Sequence, residues 1–416
     1  MNVRTRESAL RNGVYRRLLT AQVVSLAGTG LATVALGLLA YDVAGGGAGR
    51  VLGTVFAIKM VAYVVVAPVA HALVSRLPRR AVMVAADVLR AAVAVMLPFV
   101  DQVWQVYLLV FVLQAASAVH TPTFQAAVPD VLPDVRQYTQ ALSFSRLAED
   151  LEMVLSPMLA AALLLVVPHD ALFWGTAIGF GASAVLIASI AIPRAAPPSG
   201  GGHGFDELPF GARVRHGAAL MWRIRALRPV LALNLAVAAG GAFVLVQTVV
   251  IARETFGQGN DVVALLLAVN GAGSMTAALT LPRVLGRMTE RRVMLGGSAV
   301  LAAATLLVPL ALGSGSTGLG LAAVGVLWFA VGLGWACTEV PFGRLVVREV
   351  PEAERPAVFA AEFSLSHACW LVTYPLAGWL GAVGLGPTAL LLAVVAAGAV
   401  VAGARLWPAT AAVTAA

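Results

Sequence analysis

The chain has 416 residues, 60% hydrophobic and only 12% charged, with a mean hydropathy of +0.89. Soluble domains carry about twice that charged fraction, so a water-soluble globular protein is excluded. The formal charge of +8 would suit nucleic acid if it lay on one folded face; here the arginines gather between apolar runs, so no nucleic-acid partner is expected.

About twelve apolar runs follow one another: 18–41, 51–74, 81–100, 103–127, 138–167, 171–192, 228–252, 261–285, 293–312, 317–341, 356–381 and 386–407. Each is about 20 residues or more, enough to cross a roughly 30 Å hydrocarbon core as a helix. The ten-residue alternation of a membrane β-barrel is missing. The spacing therefore predicts an all-α membrane protein with twelve transmembrane helices.

The basic residues set its orientation. Arg4, Arg6, Arg11, Arg16 and Arg17 precede the first run, and Arg76, Arg79 and Arg80 follow the second. Arg194, Arg213, Arg215, Arg223, Arg225 and Arg228 fall between runs six and seven, and Arg283, Arg287, Arg291 and Arg292 between eight and nine. The opposite loops hold little beyond Arg50 and Arg253. By the positive-inside rule both termini face the cytoplasm, in a multi-pass inner-membrane protein touching anionic lipid. The first run lacks an A-x-A cleavage pattern and reads as a retained helix. Residues 193–205 are Pro- and Gly-rich linker, and 206–226 mix Arg with Phe210, Leu220, Met221, Trp222 and Ile224 as an amphipathic helix on the inner leaflet. The expected domains are a bundle at 1–192, a linker at 193–227 and a second bundle at 228–416.

The two bundles carry the same text. His120, Pro122, Asp130, Val131 and Arg136 recur 219 residues later as Glu339, Pro341, Glu349, Val350 and Arg355. At an offset of 212, Asp42 matches Glu254, Gly28 matches Gly240, Gln22 matches Asn234, and Arg79-Arg80 match Arg291-Arg292. Duplication of half a chain this apolar is the pattern of a transporter built from repeated helical bundles.

Twelve spans as six plus six, a long central loop and a basic turn after span two resemble the major facilitator superfamily, across essentially the whole chain. The stretch from His71 through Ser75, Arg76, Arg79 and Arg80 is similar to its G-x-x-x-D-R-x-x-R-R motif, with His71 in place of Gly and Ser75 in place of Asp. The resemblance implies two pseudo-symmetric six-helix bundles and a conformational gate at Arg76, Arg79 and Arg80. Asp87 and Arg90, three apart on span three, are the expected source of the missing carboxylate. Gly28-Thr29-Gly30, Asp130 to Arg146 and Ser156-Pro157 resemble drug and siderophore exporters. Ile58-Lys59-Met60 is similar to nickel-resistance permeases, although their His-rich tail is absent.

An ionised group at mid-bilayer costs roughly 2.5–3.5 kcal/mol on insertion scales, so each needs a partner or a wet cavity. Lys59, the chain's one lysine, lies eight residues into span two. It is either a protonation site or anion post, or a structural ion-pair member. On span five, Arg146 lies one turn from Glu149 and Asp150 and Glu152 lies just beyond, the first two carboxylates being the preferred coupling residues. Glu149 stands about eleven residues in, roughly 16 Å deep at 1.5 Å per residue. Three carboxylates against one Arg leave negative charge for Lys59 to offset. Such crowding suits proton exchange; a static charge cluster is the competing account. The superfamily resemblance places His120 and Glu339 on cavity-lining spans, as a titrating pair, a cation ligand set or an inner gate, against helix-end hydrogen bonding.

Gln22, Ser25 and Thr29 on span one, Asn234 and Gln247 on span seven, and Glu362 on span eleven complete the expected substrate-binding set. Hydroxyls in such helices also bond their own backbone. Cys337 and Cys369 lack metal spacing and read as inert buried thiols. Walker and catalytic motifs are missing, so neither an enzyme nor a cofactor is expected. The expected function is secondary active transport by alternating access, with proton-coupled export of a small organic molecule. A divalent-cation exporter and a non-transporting receptor are the alternatives, and the expected state is a monomer.

Overall fold

A computed structural model describes residues 8–44, 48–74, 77–168, 170–193, 209–381 and 383–407. Lipid offers no hydrogen bonds, so an apolar run there must satisfy its backbone within itself, and helices do so. The first half supplies α1 (Gly13–Ala44), α2 (Ala48–Val74), α3 (Arg79–Met96), α4 (Val103–Val131), α5 (Val135–Leu164) and α6 (Ala171–Ala188). The amphipathic α7 (Phe210–Arg223) follows. Then come α8 (Arg228–Val250), α9 (Asn260–Val284), α10 (Glu290–Leu312), α11 (Thr317–Glu339), α12 (Phe342–Glu349), α13 (Arg355–Gly381) and α14 (Leu385–Leu406).

Among the described residues, ten spans are long and apolar enough to cross a membrane. Helices α5 and α13 match them in length, at 30 and 27 residues, but carry polar residues along them. Together they make the twelve-helix fold. Large apolar side chains such as Ile178 at 71% and Leu310 at 73% exposure face outward, where only lipid gives them a favourable neighbour.

The chain forms two compact units, Met1–Gly217 with Pro351–Leu371, and Ala218–Val350 with Val372–Ala416. In the first, α1 packs on α5 and α6, α3 on α4 and α6, and α2 on α4. In the second, α8 packs on α14, α10 on α11 and α14, and α9 on α11. Four of these five neighbour relations recur, α1–α6, α3–α4, α3–α6 and α2–α4, as a duplication predicts. Unit membership does not follow sequence order alone: the first part of α13 belongs with α2, where Phe363 meets the Tyr63 ring at 4.9 Å, tilted by 49°, and the Ser364 hydroxyl donates to the Val64 carbonyl. Most of the expected linker, 194–208, lies outside the described residues.

A matched proline acts differently in the repeats. Helix α4 runs unbroken through Pro122 and Pro129 to Val131. Its counterpart stops at Glu339 and restarts after Pro341 as the eight-residue α12.

Candidate substrate and coupling site in the first unit

The Gly28-Thr29-Gly30 stretch lets two helices come close to α1. A Cβ on Gly28 would lie 3.1 Å from the Thr176 carbonyl oxygen of α6. One on Gly30 would lie 2.0 Å from Ser156 Oγ and 2.7 Å from Glu152 Oε1 of α5. Real side chains do not approach that closely, so glycine at 30 is what admits the Glu152 carboxyl against α1. Higher on the pair, Ser145 Oγ donates to Gln22 Oε1 at 2.8 Å. Thr29 Oγ1 returns to the Ser25 carbonyl at 3.0 Å, and Ser25 is buried. Of the three expected span-one ligands, Gln22 thus ties α1 to α5 and Thr29 bonds its own helix.

Between α1 and α5 lies a cavity of about 350 Å³. Leu19, Val23, Leu26, Phe144, Leu151 and Leu155 form most of its wall, and Glu152 and Ser156 are its polar lining side chains. Glu152 is hydrogen-bonded to Ser156, one turn on, and lies within electrostatic range of Lys59 on α2. The Lys59 ammonium stands 5.6 Å from the Tyr63 ring centroid, and Tyr63 donates its hydroxyl to Gln114 Oε1 of α4 at 3.0 Å. His367 of α13 meets the same ring edge-on at 4.8 Å.

The remaining α5 charges divide from this pair. Arg146 Nε is 3.2 Å from Asp150 Oδ1, and the Asp150 side chain is 1% exposed. Glu149 is 3.9 Å from Arg146, with 47% of its side chain exposed. Lys59 thus lies within electrostatic range of Glu152, while Arg146 is paired with Asp150.

The expected gate also divides. Arg76 lies outside the described residues. Arg79 forms its ion pair with Asp130 at the end of α4 and donates to the Ala126 carbonyl at 2.9 Å; Arg80 donates to the Ala188 carbonyl. Asp87 stands apart from that turn, fully buried with Arg90, because two turns of α3 carry it into the bundle. Ser183 of α6 donates to Asp87 Oδ2 at 2.7 Å, and His120 Nε2 is 3.6 Å from the same oxygen. So His120, expected beside substrate, faces the interior of the first unit.

In the second unit, Asn234 is buried and Glu339 half-buried. Gln247 Nε2 donates to the Ala377 carbonyl at 2.5 Å and lies where Gly381 leaves room, so it ties α8 to α13. Glu362 is half-buried on the part of α13 that belongs to the first unit. Sequence reasoning passed over Tyr63, Gln114 and Ser183 as site partners. Ser156 and Asp130 were seen, as parts of motifs, without their partners. Only Ser156 had a positional signal, four residues after Glu152.

A twelve-helix membrane bundle with a repeated packing pattern, an apolar cavity and a few charged side chains inside it defines a polytopic transporter. The profile of the Major Facilitator Superfamily matches residues 18–367, and the chain belongs to that superfamily: it is a transporter, not an enzyme. It is 26% identical over 331 residues to the uncharacterized MFS-type transporter YfiS of Bacillus subtilis (strain 168), covering 76% of each chain. It is also 28% identical over 153 residues to macrolide efflux protein A of Streptococcus pyogenes, covering 36% of this chain and 38% of that protein. Its fold matches the E. coli fucose:proton symporter FucP with a TM-score of 0.75 at 14% identity, over 97% of this chain and 100% of that one. A bacterial homologue of the iron transporter ferroportin, in the outward-facing state, gives 0.73 at 14% identity, over 95% and 98%.

Proposed function

We propose that this transporter exports a small organic molecule in exchange for protons, with Glu152 as the exchanging group. The observation that carries the reading is a carboxylate set in the wall of an otherwise largely apolar cavity of about 350 Å³. An apolar body fits such a wall, and a few polar groups fix its orientation. A carboxylate facing Lys59 can hold a proton or the positive or hydrogen-bonding end of a substrate, but not both at once. That exclusion is the minimal chemistry of antiport. The partial similarity to macrolide efflux protein A supports outward transport of a bulky organic compound. Asp150, already paired with Arg146 at 3.2 Å, holds the helix face that presents Glu152. In this reading bundles 1–192 and 228–416 rock about the linker at 193–227, and both termini lie in the cytoplasm.

Proteoliposomes loaded with a radiolabelled macrolide or a lipophilic cationic dye test it. An imposed proton gradient should drive wild-type transport, and a protonophore should collapse it. Glu152→Gln should lower gradient-driven transport at least a hundredfold while leaving substrate exchange across the membrane measurable. Wild-type-like accumulation by Glu152→Gln would remove Glu152 from the coupling step.

A further inference from the structure

We propose that Asp87 and His120 form a second proton-binding site, enclosed between α3, α4 and α6 and separate from the Glu152 cavity. The cluster is sealed: Asp87 is 0%, Ser183 0%, Arg90 4% and His120 7% exposed. Asp87 already has a complete set of partners without the histidine. One carboxylate oxygen is paired with Arg90 and the other accepts from Ser183 at 2.7 Å. That trio is electrically neutral, and a purely structural ion pair needs nothing more.

His120 is the surplus group. Its Nε2 points at Asp87 Oδ2 from 3.6 Å, an electrostatic contact too long to be a full hydrogen bond, and Arg90 Nε has no hydrogen-bond partner. Buried polar atoms in folded proteins are satisfied in some populated state. The neutral Nε2–H tautomer can donate across that gap, and binding a proton makes the same contact a stronger, charge-assisted bond. Protonated His120 becomes a second cation on Asp87, and closing a gap of less than an ångström gives an N–H···O bond to Oδ2. No covalent bond to a heavy atom changes; one proton is taken up and the cluster gains one positive charge.

The surroundings decide what that charge does. Around the imidazole stand Asp87 and Arg90 from α3, Ser183 and Phe180 from α6, and Phe124 from its own helix. Arg90 lies over the Phe180 ring at 4.4 Å, and Phe124 is stacked on His120 at 6.3 Å. Tyr63 of α2 is within electrostatic range of Arg90. Arg90 and protonated His120 then compete for one carboxylate, so uptake of the proton loosens Arg90 toward Tyr63. Tyr63 carries Lys59 against its ring, so the loosened Arg90 acts on the cation facing Glu152. This relay rests on the Glu152 reading; the proton site itself does not.

The test reads the histidine directly in the full chain. Histidine-labelled protein in lipid nanodiscs is titrated by NMR, and the His120 signal is the one missing from His120→Gln. In wild type it should convert reversibly between neutral and protonated forms between about pH 5 and about pH 8. Asp87→Asn, which removes the attracting charge, should lower its proton affinity at least tenfold. Ser183→Ala, which frees Oδ2 without changing any charge, should raise it, and this variant keeps the test intact if Asp87→Asn does not fold. Glu152→Gln should leave the titration in place even if that residue proves irrelevant to coupling. A His120 signal that stays in one form throughout this range in wild type and Ser183→Ala alike overturns the proposal. So does an identical proton affinity in wild type, Asp87→Asn and Ser183→Ala.

Discussion

The α3–α4 corner of the first unit and the α10–α12 corner of the second come from the same repeated text, yet their charges have opposite sign. In the first, Arg79 opens α3 and pairs with Asp130 near the end of α4. In the second, Glu290 opens α10 and pairs with Arg344 at 3.1 Å and Arg348 at 2.8 Å on α12. Helix starts favour negative charge and helix ends favour positive charge. The second clasp obeys that preference at Glu290 and at Arg348, though not at Arg344 in the first turn of α12, and the first opposes it on both helices. Arg79 and Asp130 are therefore held by one another, with each helix terminus working against them. The positions matching Arg79 and Asp130 are Arg291 and Glu349, so the duplication kept an ion pair at this corner while the residues that make it, and its sign, changed.

The largest expected difference between the corners is the loss of one clasp residue. Arg79→Gln leaves the Asp130 side chain, 1% exposed, without its cation and beside the wrong end of a helix; about 3 kcal/mol of stability should go. Glu290→Gln leaves Arg348 its pair with Glu349 at 2.8 Å and takes a charged partner from Arg344, to which the glutamine can still offer a carbonyl, so the loss should be smaller, about 1 kcal/mol. Denaturant unfolding in nanodiscs measures both, and equal losses would break the comparison. The reversed pair Arg79→Glu with Asp130→Arg should sharpen it: both ends then agree with their helices, and the double variant should unfold later than wild type.

The sequence held the frame of this picture and few of its contacts. Twelve spans, the amphipathic α7 and the repeat are properties of hydropathy and spacing, which a chain states locally. The Gly28–Gly30 stretch was legible as a motif, but its purpose was not, because the atoms it makes room for, at Ser156 and Glu152, lie over 120 residues away. The α5 charges were legible as a cluster. Their division into Arg146–Asp150 and Lys59–Glu152 depends on which face of α5 is turned toward α1 and the cavity, and periodicity alone does not decide that. Asp87 was misplaced for a related reason: eight residues beyond Arg79 is only a short step in sequence, but about 12 Å along a helix.

Close packing gives a second, smaller test of the same asymmetry. In each unit a glycine admits a polar side chain from a neighbouring helix: Gly30 faces Ser156 and Glu152, and Gly381 faces Gln247. A Cβ at 30 would lie 2.1 Å from Ser156 Cβ, an atom fixed to the α5 backbone. At 381 the atom met, at 1.8 Å, is the amide nitrogen at the end of a flexible side chain. Gly30→Ala should therefore cost about 2 kcal/mol and Gly381→Ala about 1 kcal/mol. Only Gly30→Ala displaces Glu152, so it alone should lose gradient-driven transport beyond what its lowered stability explains.

The smallest effect belongs to the buried centres of the two corners. One residue before the position matching His120, Thr338 of α11 bonds Ser298 of α10 at 2.8 Å in a buried, uncharged pair. Neither hydroxyl titrates in the physiological range, so this centre holds the second unit in one arrangement whatever the pH. Replacing Thr338 with Val removes its neutral hydrogen bonds to Ser298 and to the Gly334 carbonyl and should cost about 1–2 kcal/mol, by the same amount at acid and alkaline pH. His120→Gln in the first unit should change stability by an amount that differs between those conditions, because only there does a proton choose between states. Unfolding measured at both pH values separates the two. A pH-dependent loss in Thr338→Val would mean that proton sensitivity is shared by both units, and the asymmetry between the repeats would then lie in the clasps alone.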